Sequence, residues 1–245
     1  FLMSKSQPYS LATLPQDIQE LIFVIHGLPQ LFYTSCQHGC VQILREILRF
    51  KRLRRYLERA KHHLHQAFVK ACINGHVDVI RLLTIRFSIA RNCIDYSLRE
   101  ASSLNRLDVV QYLFHRCMPW NPNTIVNSLQ SACFMGAKEV SRFLIMKANV
   151  DVSLVSNNLL PLACLTGCHE VVRALLKERH WRPSCLVHAC EYGHAEIITL
   201  LLQQGQASVP TCLRALSMAR HNGYTDIEEM LKKIIGDSNR FNSNM

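Results

Sequence analysis

The stretch that decides the fold reads Ala189-Cys190-Glu191-Tyr192-Gly193-His194-Ala195-Glu196-Ile197-Ile198-Thr199-Leu200-Leu201-Leu202. A small residue followed by Cys stands four before a glycine, and a β-branched, Leu-rich run follows. The phrase recurs along the 245 residues as Ser35-Cys36…Gly39, Ala71-Cys72…Gly75, Ala101-Ser102…Asn105, Ala132-Cys133…Gly136, Ala163-Cys164…Gly167 and Ala219…Gly223. Successive anchors lie 36, 30, 31, 31, 26 and 30 residues apart. A fixed period of this size marks a repeat array, in which each unit buries its apolar face on the next.

The copy over residues 158–178 shows the local physics. Leu159, Leu162 and Ala163 fall at the i, i+3, i+4 spacing of one helical face. Gly167 ends that short helix, because glycine adopts the left-handed conformation helix ends require. Val171, Val172, Leu175 and Leu176 form the apolar stripe of a second helix, with Arg173 and Lys177 on its wet side. Asn105 stands where the other copies have glycine, and asparagine tolerates that conformation best among the rest. The expected fold is an all-α solenoid of about seven helix hairpins.

These phrases resemble the ankyrin-repeat family. Ala-Cys-x-x-Gly-His-x-Asp/Glu-Val/Ile-Ile-x-x-Leu-Leu is similar to that family's helix-pair core, over roughly residues 33–235. Residues 147–152 and 204–209 resemble its Gly-Ala-Asp-Val-Asn turn. The family's Thr-Pro-Leu-His appears only as Leu160-Pro161-Leu162-Ala163, and the copies are shorter than the usual ~33 residues. Reduced β-hairpin fingers are therefore expected. Divergent arrays of this kind are similar to those of intracellular bacterial effectors, large DNA viruses and amoebal proteins. The resemblance implies an intracellular, soluble, monomeric protein that binds a partner protein and does not catalyse. If an effector, it would act in a host cytosol or nucleus.

The resemblance also places the partner-binding groove at the two residues before each anchor glycine: Gln37-His38, Ile73-Asn74, Ser103-Leu104, Phe134-Met135, Leu165-Thr166, Glu191-Tyr192 and His221-Asn222. Phe134, Met135, Leu165 and Tyr192 stand out, because aromatics and Met are enriched at interfaces. Trp120 and Trp181 fall between copies, each read either as an anchor into the core or as a rim contact.

Residues 45–70 hold nine Lys or Arg against Glu46 and Glu58, which is most of the chain's formal charge of +10. Lys51, Arg52, Arg54, Arg55 and Arg59 form a basic patch. Leu48, Leu53, Leu57 and Leu64 suggest one amphipathic helix beneath it. An acidic protein surface, a phosphoinositide headgroup or another polyanion could pair with such a face, which is otherwise an ordinary solvated one. No base-reading motif accompanies it, so nucleic acid is not an expected partner.

At the start, Leu14, Pro15, Ile18, Leu21 and Ile22 read as a helix that caps the array. They also resemble the opening of an F-box, which implies docking on a Skp1-like adaptor of a ubiquitin ligase. Only half of such a motif fits before the first copy. The expected division is 1–32 for the cap, 33–235 for the array and 236–245 for a disordered polar tail.

Eleven cysteines and twelve histidines invite a metal or thiol reading. A position recurring once per unit lies about 10 Å from its next copy, beyond the ~7 Å reach of a disulfide. Cys36, Cys72, Cys133, Cys164 and Cys190 are therefore expected to be reduced, buried packing residues. His62-His63-x-His65 is the densest cluster, yet it lacks the pattern of a metal site. Cys168, Cys185 and His169 or His188 are the constellation in which a thiol enzyme would have to be sought. No phosphate loop, dinucleotide fingerprint or hydrolase motif occurs. No cofactor, metal or catalytic residue is expected. No apolar run approaches the ~18 residues of a membrane helix.

Overall fold

The computed structural model describes residues 27–147, 158–177, 181–205 and 207–242. Among them all regular structure is helical. Seven helix pairs follow one another: α1 (Gly27–Gln37) with α2 (Val41–Ile47), α4 (Lys61–Asn74) with α5 (Val77–Arg86), α6 (Arg91–Ser103) with α7 (Leu107–Arg116), α8 (Pro122–Phe134) with α9 (Lys138–Lys147), α10 (Leu159–Thr166) with α11 (His169–Leu175), α12 (Pro183–Glu191) with α13 (Ala195–Gln203), and α14 (Val209–His221) with α15 (Thr225–Asn242). One extra helix, α3 (Lys51–Arg59), stands between the first two pairs.

The pairs are made by one recurring turn. All seven anchor positions have positive φ, from Asn105 at 54° to Gly75 at 84°. This lets the amide after the anchor reach back to the carbonyl of the small residue five before it. His76 N–H donates to Ala71 O at 3.0 Å, His194 N–H to Ala189 O at 2.8 Å, and Tyr224 N–H to Ala219 O at 2.9 Å. The bond satisfies a helix-end carbonyl that the helix itself cannot. The apolar runs then turn inward. Val79, Ile80 and Leu83, then Val171, Val172 and Leu175, then Ile197, Ile198 and Leu201 are all buried. Each such side chain contributes about 1.5–3 kcal/mol on leaving water.

The chain divides into two units, residues up to 101 with 108–118, and 102–107 with 119 onward. In the first, α1 packs on α4, α2 on α5, and α3 on α4. In the second, the leading helices α8, α10, α12 and α14 pack in sequence, and so do the following helices α9, α11 and α13.

Several expectations change. The boundary expected at 32/33 falls inside α1, which already belongs to the first pair. The F-box-like residues Leu14, Pro15, Ile18, Leu21 and Ile22 lie outside the described residues, as do 148–157, which hold most of the first turn resembling Gly-Ala-Asp-Val-Asn. The tail expected to be disordered from 236 is helical to Asn242. The single amphipathic helix expected through Leu48, Leu53, Leu57 and Leu64 falls on three: Leu48 caps α2, Leu53 and Leu57 lie on α3, and Leu64 lies on α4, beyond a break at Ala60 (φ −91°, ψ 59°). Trp181 is a buried anchor.

Candidate functional site

Side chains reaching from one copy to the one before join the pairs. His194 Nε2 lies 3.1 Å from Leu165 O, and His76 Nε2 lies 2.9 Å from Gln37 O. Asn74 donates to the same Gln37 carbonyl at 2.7 Å, and Asn222 donates to Glu191 O at 2.9 Å. The ring after one anchor glycine covers the previous one. A β-carbon at Gly39 would meet His76 at 2.6 Å, at Gly167 His194 at 2.7 Å, and at Gly193 Tyr224 at 2.7 Å. Where Asn105 replaces glycine, its side chain accepts from Val140 N–H at 3.3 Å and donates to the Glu139 carboxylate. That bond holds the Glu139 carboxyl below its ordinary range.

These bonds sort the expected partner-binding residues. Asn74 is occupied within the stack, and the backbones of Leu165 and Glu191 accept from the next copy. The Thr166 hydroxyl bonds back to Leu162 O at 3.0 Å. Ile73, Leu165, Thr166 and Glu191 are half-buried. The residues left outward are Phe134 at 70% exposure, Met135 at 57%, Tyr192 at 49% and Leu104 at 40%. Tyr192 stacks on His194 with centroids 6.4 Å apart.

Phe134 and Met135 border an open hollow of about 440 Å³ in the second unit. Gln130 and Ser131, one turn back on α8, form one wall, and Leu159 and Leu162 of α10 form another. Gln130 and Ser131 escaped the sequence reading, although their i−4 and i−3 spacing from Phe134 carried the signal. A hollow of about 690 Å³ lies on the leading helices of the first unit, between Tyr33, His65, Lys70 and Tyr96. Arg99 lies over the Tyr96 ring at 5.1 Å. Neither tyrosine was among the expected site residues.

On α3, Lys51, Arg52, Arg55 and Arg59 are exposed and Arg54 is half-buried, while Leu53 and Leu57 are fully buried. Arg49, just before α3, is paired with Glu46 at 3.0 Å.

The recurring cysteines are buried and free. Burial pushes the Cys36 and Cys190 thiols up to about 12. The Cys133 and Cys168 thiols both donate to the Ser141 hydroxyl, at 3.6 and 3.8 Å. Of the expected thiol constellation, Cys168 and His169 stand at the start of α11, and Cys185 and His188 lie on α12. His63 stacks on Tyr56 at 5.7 Å, and among the described residues no group of three His, Cys, Asp or Glu could hold a metal ion. No described helix is long and apolar enough to cross a membrane.

The family model for the ankyrin repeat matches residues 184–215. The match covers most of α12, the Gly193 turn, α13 and the first half of α14, where the helix-turn-helix geometry agrees with it. It supports an ankyrin-repeat protein, and ankyrin repeats are generally protein–protein interaction modules.

Proposed function

We propose that the chain binds a partner protein through the face of its second unit that carries Phe134, Met135 and Tyr192. The observation that supports this most is Phe134, an aromatic at 70% exposure beside a hollow large enough for an apolar side chain. Exposed aromatic and Met side chains around a recess are the usual anchors of an interface. The test is affinity capture with the chain beside a Phe134→Ala/Met135→Ala/Tyr192→Ala variant of unchanged helicity. A protein held by the first and lost by the second is expected. The same protein held equally by both would remove this face from consideration.

A second reading rests on α3, whose buried Leu53 and Leu57 leave four cations facing water. That face suits a polyanion or an anionic membrane surface. Retention on heparin should then fall steeply between about 50 and 300 mM salt, since each phosphate or sulfate contact releases a counterion. A flat response would exclude it.

A further inference from the structure

The hollow of about 690 Å³ in the first unit crosses three leading helices, with Tyr33 on α1, Gln66 and Lys70 on α4, and Asn92 and Tyr96 on α6. Its walls present donors and few acceptors. A lysine has only N–H groups to offer, and a tyrosine hydroxyl can donate. The Lys70 ammonium and the Tyr33 and Tyr96 hydroxyls have no hydrogen-bond partner among the described residues. Asn92 Oδ1 already accepts from Cys93 N–H at 2.9 Å, which leaves that side chain its amide donors. The His65 carbonyl is taken as well, by the Cys93 thiol at 3.8 Å. Charge points the same way. α1 carries none, and α4 carries Lys61 and Lys70 with no carboxylate. On α6, Asp95 is paired with Arg91 at 3.2 Å and Glu100 with Arg99 at 3.5 Å. The two lysines of α4 are thus the uncompensated charges of the three helices.

We propose that this hollow binds an acidic peptide segment of a partner protein, with a carboxylate at Lys70 and the chain laid across α1, α4 and α6 on the two tyrosine rings. Helices packed about 8–10 Å apart make three of them about 16–20 Å wide, the length of five or six extended residues. The hollow is open, whereas a small-molecule site encloses most of its ligand's surface. Tyrosines supply broad, rigid contact at little entropic cost. Lys70 supplies a mobile point charge that meets Asp or Glu in many geometries. The site lies in the first unit and does not depend on the Phe134 face of the second.

The experiment is fluorescence anisotropy of the full chain at about 150 mM salt, where distant charges are screened. The probes are a labelled hexapeptide of alternating Glu and Leu, blocked at both ends, and its counterpart with Gln for Glu. The Glu peptide should bind about ten-fold tighter, as a few ion pairs of modest strength allow. Lys70→Gln should lower its affinity about five-fold and leave that of the Gln peptide unchanged. Arg55→Gln/Arg59→Gln on α3 should change neither. Equal binding of the two peptides, no binding of the Glu peptide, or no loss with Lys70→Gln would overturn the proposal. A loss confined to Arg55→Gln/Arg59→Gln would do the same and assign the peptide to α3. Displacement by millimolar glutarate would also overturn it, by making the hollow a site for a small acid. The two-peptide comparison uses the unaltered chain, so it can refute the proposal even if a variant fails to fold.

Discussion

The His194 imidazole Nε2 lies 3.1 Å from the Leu165 carbonyl oxygen, and its ring lies where a β-carbon on Gly167 would come within 2.7 Å. One side chain thus satisfies the end of the helix in the preceding copy and requires a glycine there. His76 does the same over Gly39 with Gln37. The latch spans about thirty residues of sequence, so it holds copies together rather than shaping one of them.

Gly167→Ala and Gly136→Ala separate the two demands on an anchor. Both positions have positive φ, but only Gly167 is covered, with nothing within 4 Å of a β-carbon at Gly136. Gly136→Ala should cost about 1–2 kcal/mol, the left-handed penalty alone. Gly167→Ala should cost about 2–4 kcal/mol, because the ring must also move. Urea unfolding measures both, and equal losses would show that the latch adds nothing.

Asn105→Ala and Asn105→Gly test the compensated anchor. Alanine keeps the strain and loses the bonds to Val140 and Glu139, so a loss of about 2 kcal/mol is expected. Glycine removes the strain while losing the bonds, so a loss below about 1 kcal/mol is expected. Thermal unfolding of the two variants should rank them in that order.

His194 should make stability depend on pH. Burial holds its imidazole below the ordinary value, against the pull of the Leu165 carbonyl and helped by Lys138. The folded chain therefore binds a proton there less readily than the unfolded chain. The stability carried by neutral His194 is fully present above about 6.5 and is lost as pH falls toward the lower folded value. The Tm difference between pH 7.5 and 5.5 should be smaller in His194→Gln, which keeps a donor for Leu165 and does not titrate. An unchanged difference would contradict this.

Phe134→Ala should leave stability within about 0.5 kcal/mol, as surface substitutions do. Leu129, five residues earlier on α8 and fully buried, should lose about 2–5 kcal/mol on replacement by Ala. Chemical unfolding of the pair distinguishes a residue kept for contact from one kept for packing. A large loss at Phe134 would mean that its ring is part of the core.

The array was legible because its requirements are local. A small residue, a left-handed turn four residues later and an apolar stripe behind it act within a dozen residues, and Gly193 with Ile197, Ile198 and Leu201 displays all of them. The sequence by itself therefore determined the pairing of helices, the inward faces and even the conformation of Asn105. The tertiary structure alone decided which side chains meet across copies. It brought Cys133 and Cys168 to one Ser141 hydroxyl, laid His194 over Gly167, engaged Asn74 with Gln37 and left Phe134 and Met135 at the edge of a hollow. Those outcomes depend on how neighbouring hairpins register when they stack. Periodicity says that they stack, but the fit of individual side chains, set by close packing between residues some thirty positions apart, says how.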